Sequence, residues 1–245
     1  MRSSDSIAGP LHPTGARFET TLWTQVLEAP RDEKALASLC RKYWYPLYSF
    51  LRRKGISCHE AEDLTQGFFA HLLGKKGLES VRRESGKFRS FLLASLQNFS
   101  ADQRDRAMAA KRSPPQPLLE LDAGTAEDRY RLEPVERMTP ETIFDRCWAL
   151  AVLEAALATL ESEFVSKGKA EVFREIQPFL CGDVPVYKDL AACLAISEGA
   201  ARVTVHRMRG RYGELVRREV ADTLGPEEDL ETEMRHLFAV LRNEQ

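Results

Sequence analysis

Arg202, Val203, His206, Arg207, Arg209 and Arg211 have the types and spacing of a nucleic-acid-contacting surface. A helix advances about 100° per residue, so Val203, His206, Arg207 and Gly210 share one face. Arg202, Arg209 and Arg211 flank it. Ala201, Val205, Met208 and Tyr212 recur at three- and four-residue steps on the opposite side and form an apolar back. Upstream, Leu190, Ala191 and Leu194 mark a short helix, Ile196 closes a turn, and Ser197 can cap the helix that follows. A short helix, a turn and an Arg-fronted helix suit the DNA major groove. The same pattern also fits a helical hairpin with a solvated basic face.

Other chemistry is poorly supported. Asp102 and Asp105 lie one helical turn apart, but Arg104 and Arg106 interleave them. The chain has no G-x-x-x-x-G-K-[ST], H-E-x-x-H or G-x-S-x-G segment. The cysteines at 40, 58, 147, 181 and 193 include no C-x-x-C pair. A zinc site would have to gather them with His59, His71 or His206, and none is expected. No enzyme activity, cofactor or metal is therefore assigned.

The net charge of −2 conceals segregation. Between positions 202 and 218 six arginines face Glu214 alone, whereas eight acids from Glu219 onward face only Arg235 and Arg242. A chain of basic and acidic blocks can bind a polyanion and remain near neutral. No apolar run approaches the roughly 18 residues of a membrane span. Residues 1–18 lack the apolar core of a signal peptide and read as a disordered lead-in. Scattered cysteines fit a reducing cytoplasm.

The elements that must position these residues are helical, and no alternating strand pattern is visible. A short helix carries Leu22, Trp23, Val26 and Leu27. A longer one over 32–54 contains Pro46, which should kink it, and ends at Gly55. Ser57 and Glu60 form a capping box for a helix over 58–73. A basic loop leads to a helix over 87–110. From 113 to 139 prolines and acids suggest an extended linker. Thr139 and Pro140 start the next helix. Another covers 169–180, and a last one over 227–242 puts Leu230, Met234, Leu237, Phe238 and Leu241 on one side. The expected fold is all-α: two helical domains, 19–112 and 140–225, joined by a Pro-rich acidic linker over 113–139 and followed by an amphipathic acidic helix within 226–245. The second domain holds the helix-turn-helix.

The order DLTQGFF, then KFRSFLLASLQNFSADQRDR, then DLAACLAISEGAARVTVHRMRGR resembles bacterial RNA polymerase sigma factors of the extracytoplasmic-function class. The YWYPLYSFLRRKG segment looks closest to a subgroup found beside protein kinases. The resemblance implies a factor that binds core RNA polymerase, through the clamp helices of its largest subunit and its flap, and recognises promoter DNA. It places core-polymerase binding on Glu62, Asp63, Thr65 and Gln66. It places −10 recognition and strand melting on the following helix. There Lys87 and Arg89, with Arg82 and Arg83, supply cations, and Asn98, Asp102, Arg104 and Arg106 supply contacts further along. Asn98 and Asp102 are equally consistent with holding the loop that follows. The resemblance makes the helix-turn-helix the −35 reader. Val203, His206 and Arg207 are then the base-edge candidates, with Arg202 beside them, because arginine can bond guanine O6 and N7 together. Arg209, Arg211 and Arg217 suit phosphates. Two positions depart from the family pattern: Gly67, where glutamate is usual, and Ala195, where the turn often has glycine. An anti-sigma factor or a Ser/Thr kinase is implied as partner by family habit alone.

A second reading is a stand-alone helix-turn-helix regulator, which leaves residues 62–66 without a task. The C-terminal helix admits two readings. Its apolar stripe can pack on the reader domain, or its acids (Glu227, Glu228, Asp229, Glu231, Glu233) can mimic phosphates over the arginine face.

Overall fold

The computed structural model describes residues 33–73, 87–109, 123–132, 138–180, 186–225 and 227–242. The side chains of 33–41, 106–109 and 123–125 are not described. The helix expected around Leu22 and Trp23, the loop cations Arg82 and Arg83, and Cys181 lie outside these residues.

The described residues form helices and turns without strands, as an all-α fold requires. The helices are α1 (Glu33–Arg53), α2 (Cys58–Leu73), α3 (Phe88–Ala109), α4 (Ala123–Leu132), α5 (Pro140–Ser166), α6 (Ala170–Ile176), α7 (Tyr187–Cys193), α8 (Glu198–Ala221) and α9 (Leu230–Leu241). A 3-10 turn, Gln177–Phe179, follows α6. α1 continues through Pro46. The caps form as the sequence suggests: Ser57 Oγ accepts from Glu60 N at 3.3 Å, Thr139 Oγ1 from Thr142 N at 3.1 Å, and Ser197 Oγ from Ala200 N at 3.2 Å. Each satisfies one of the donors that a helix start leaves unpaired.

Three helices end in the same hydrogen-bond pattern. After α1, Ile56 N donates to Leu51 O and Gly55 N to Arg52 O. After α5, Lys169 N donates to Phe164 O and Gly168 N to Val165 O. After α7, Ile196 N donates to Ala191 O and Ala195 N to Ala192 O. This is the Schellman termination, which needs a left-handed residue. Gly55 (φ 84°) and Gly168 (φ 68°) provide it, and at the third site Ala195 does so with φ 52°.

The interior runs through both groups of helices. Tyr43, Leu47, Phe50 and Leu51 of α1 are buried with Phe68 of α2 and Phe88, Leu92 and Leu96 of α3. The same interior continues into Phe144, Trp148 and Val152 of α5, then into α8 and into Met234, Leu237 and Val240 of α9. Tyr43 joins the two sides, with its ring edge-on to Phe88 at 5.1 Å and 6.5 Å from Phe144. Burial of one such side chain stabilises by about 1.5–3 kcal/mol. Polar links cross at the same place: Phe88 N donates to Thr223 O at 3.1 Å, and Lys42 pairs with Glu219.

Two expectations change. Within the stretch expected to be extended, Ala123–Leu132 is helical. Ala126 is buried. Glu127 accepts from Tyr48 Oη at 2.6 Å and from Arg52 Nε and Nη2 at 2.9 and 3.0 Å. The prolines flank this segment without entering it, and Arg52 neutralises the charge that would favour extension. The hydrogen bond from Arg52 holds the Glu127 carboxyl below its usual range, against the upward push of burial.

The second change concerns α9. Asp229 caps it, accepting from Thr232 N at 2.9 Å. Phe238, expected on the inner stripe, is 47% exposed, and Glu233 is fully buried among Met234, Leu237 and Val240. The rest of the stripe faces inward as expected, with Met234 and Leu237 buried and Leu230 and Leu241 packed against the core, so the helix is rotated only far enough to admit Glu233 and release Phe238. The cations that Glu233 meets, described below, account for its place inside.

Candidate nucleic-acid interface

α8 builds its exposed basic face from the back outward. Ala201, Val205, Met208 and Tyr212 are buried, and Tyr212 Oη donates to Leu153 O at 3.1 Å. This fixes the helix on α5. Val203, His206, Arg207 and Gly210 are consequently exposed together on the far side.

The flanking arginines divide. Arg202 is exposed, with Nη2 donating to Glu198 Oε1 at 2.7 Å and its guanidinium 4.4 Å from the Tyr187 ring centroid. Arg209 Nε donates to Phe179 O at 2.8 Å and so ties α8 to the 3-10 turn. Arg211 makes two bonds to Glu163, at 3.1 and 2.6 Å, and one to Glu214 at 2.8 Å. The hydrogen bond to Glu163 is the main reason the Arg211 pKa is raised. Arg217 pairs with Glu231 of α9. Three cations suited by type to phosphate thus hold protein groups instead. The wheel shows their side of the helix, but Phe179, Glu163 and Glu231 come from elements it cannot see.

α2 presents the acidic and amide surface. Asp63 is exposed, Glu62 and Gln66 are half-buried, and Gln66 Nε2 lies 3.3 Å from Glu62 Oε1. Thr65 does not belong to that surface. It is fully buried, and its hydroxyl donates to Ala61 O at 2.7 Å. Asp63 and Thr65 are two positions apart, about 200° of rotation, so when the first faces water the second faces the core. Gly67 faces Phe99, and a Cβ built there would meet the ring at 3.5 Å, an ordinary contact.

On α3, Asn98, Asp102 and Arg104 are exposed, and the side chain of Arg106 lies outside the described residues. Phe88 is buried and Phe91 and Phe99 partly so, which makes them packing residues more than stacking platforms. The first turn differs from the rest. Lys87 Nζ lies 2.6 Å from Glu233 Oε2. Arg89 Nε donates to Glu233 Oε1 at 2.6 Å, and its Nη1 to Asp145 Oδ1 at 2.6 Å. The guanidinium is 5.1 Å from the Trp148 ring centroid. His236 Nε2 is 3.2 Å from Asp145 Oδ2. Burial pushes the Glu233 carboxyl up, but the hydrogen bonds and charges of Arg89 and Lys87 outweigh it and hold it below the usual range. Glu233 and Asp145 are the partners that sequence reading misses at this site. The one available signal is a glutamate at an apolar position of the α9 stripe.

A groove of about 590 Å³ runs beside α7, lined by Arg174, Pro178, Phe179, Val186, Leu190 and Cys193 among others. Among the described residues no group of three or more His, Cys, Asp or Glu side chains could hold a metal. None of the described helices is long and apolar enough to cross a membrane.

Over 224 residues the chain is 27% identical to the ECF RNA polymerase sigma factor SigE of Mycolicibacterium smegmatis, a match that spans 90% of this chain and 74% of that protein. No family model matches the chain. No solved structure matches it.

Proposed function

We infer that this chain acts as an RNA polymerase sigma factor of the extracytoplasmic-function class, the class of the relative with which it shares 27% identity, and gives core polymerase its promoter choice by gripping DNA at two points. The division of labour follows the helices. Residues 19–112 bind core polymerase through Glu62, Asp63 and Gln66 of α2, and open the −10 region with α3. Residues 140–225 place α8 in the major groove at −35. Residues 113–139 join the two. The polymerase performs the chemistry, and the chain supplies no catalytic group.

One observation carries this reading. Val203, His206 and Arg207 are exposed together on a helix whose apolar back is fixed to α5, in the same chain as the open acidic face of α2. The first surface reads base edges, with Arg207 able to bond guanine in a fork. The second complements Arg-rich helices, giving orientation and encounter rate more than raw affinity.

The engaged arginines favour a polymerase-borne role over a stand-alone regulator. Each phosphate neutralised releases counterions, and that release supplies much of duplex affinity. With Arg209, Arg211 and Arg217 held by Phe179, Glu163 and Glu231, α8 alone has few cations to spend in this way. A weak reader becomes effective when a second attachment raises its local concentration. Mapping transcript starts after overexpression tests the proposal. The expected result is a set of new starts sharing two upstream boxes at constant spacing. Starts without a shared −35 box contradict it.

A further inference from the structure

We propose that Glu233 and Asp145 form a phosphate-like seat for Lys87 and Arg89, so that α9 is a latch competing with single-stranded DNA for the start of α3. The inference rests on the reading of α3 as the strand-opening helix.

The geometry is that of an anion site already filled. Arg89 spans two carboxylates, with Nε on Glu233 and Nη1 on Asp145, and Lys87 takes the other oxygen of Glu233. Trp148 covers the guanidinium. Cations and carboxylates balance two against two. Both carboxylates come from the half of the chain that carries the duplex reader, and both cations from the half that carries α3. Lys42–Glu219 and Phe88 N–Thr223 O close the same junction.

A buried ion pair is a poor means of simply gluing α9 down. Desolvation of Glu233 offsets much of its attraction to Arg89, and an apolar side chain of similar volume would usually hold at least as well. What the pair provides is exchangeability. The same Lys87 and Arg89 donors can pass to phosphate oxygens with their hydrogen bonds and charge balance preserved. Glu233 would then be a buried carboxylate without a cation, which is strongly unfavourable. DNA at the start of α3 therefore expels Glu233 and, with it, α9. In the unbound chain the latch keeps these cations from capturing nucleic acid indiscriminately.

The test uses the full chain and a labelled single-stranded oligonucleotide of mixed sequence at low salt. Glu233→Gln should bind it at least about tenfold tighter than the wild type, as the competent state becomes populated. The control Glu227→Gln removes an exposed charge just before the same helix and should bind like the wild type. Adding Arg89→Ala to Glu233→Gln should abolish the gain. An unchanged affinity for Glu233→Gln, or an equal gain from Glu227→Gln, overturns the latch. A second measurement needs no variant: hydrogen exchange of the α9 amides in the wild type should accelerate when the oligonucleotide saturates the protein, and unchanged or slowed exchange overturns the proposal. Wild-type run-off transcription with core polymerase separates the two claims. If it succeeds while Glu233→Gln gains nothing, the latch alone fails. If it fails, the sigma-factor reading falls and the latch with it.

Discussion

Arg89 and Glu233, 144 positions apart in the chain, meet through an Nε–Oε1 hydrogen bond of 2.6 Å. The contact joins the first turn of α3 to the inner stripe of α9. It places a carboxylate among the buried apolar residues of that helix, and with Lys87 on the other oxygen of Glu233 it occupies two of the cations expected to meet promoter DNA.

The first prediction concerns pH. The folded Glu233 carboxyl lies below the ordinary value of 4.5. Its contribution to stability is therefore present above that value and is lost as pH falls through the folded value. Glu127 and Glu163 shift in the same direction, so they add to the acid loss in any variant. Comparing unfolding midpoints of wild type and Glu233→Gln from about pH 6 to about pH 3 isolates the one group. The gap between the two proteins should narrow as pH drops. A constant gap would show that the carboxylate charge contributes nothing.

Ala195 offers a stability test. Its left-handed backbone, φ 52°, costs an L-residue about 1–2 kcal/mol, whereas glycine has no such cost. The greater freedom of glycine in the unfolded chain returns roughly 0.4–1 kcal/mol of that. Ala195→Gly should therefore stabilise by roughly 0.5–1 kcal/mol in urea unfolding. No gain would mean that the turn between α7 and α8 relaxes to accommodate the methyl group.

Thr65 and Asp63 separate folding from binding. Thr65→Val deletes a buried hydroxyl donor at nearly constant shape, and should cost at most about 1 kcal/mol in thermal unfolding while core binding persists. Asp63→Arg changes an exposed residue, so it should leave stability within about 0.5 kcal/mol. In a pull-down with core polymerase it should nonetheless lose most binding, because it places like charges together. The reverse pattern would move the polymerase surface away from α2.

Arg207→Ala should lower initiation from promoters that require the −35 duplex by about 1–3 kcal/mol, or roughly fivefold to 150-fold, in run-off assays. Its exposure predicts unchanged thermal stability. Arg211→Ala should behave differently, because Arg211 binds Glu163: stability falls and promoter discrimination is retained. Equal loss of discrimination in both would place Arg211 on DNA.

Local signals in the sequence were legible. The Ser57, Thr139 and Ser197 caps, the Gly55 stop, the apolar back of α8 and its open face of Val203, His206 and Arg207 all depend on neighbours within one or two turns. Long-range partners were not. α4 is helical because Arg52, 75 positions away, neutralises Glu127. Arg209 and Arg211 turn inward because Phe179 and Glu163 accept from them. Thr65 sits within the DLTQ segment in sequence and inside the core in space. Charge type predicts that a side chain will find an opposite partner. It does not say whether that partner is DNA or the protein itself.

The most direct test of the central claim is reconstitution with core RNA polymerase and run-off transcription from a mapped promoter. The account predicts specific transcripts that require this chain, that are lost with Asp63→Arg through failure to bind core, and that are reduced by Arg207→Ala with core binding intact. Failure of the wild-type chain to bind core polymerase, or transcription indifferent to both substitutions, would contradict it.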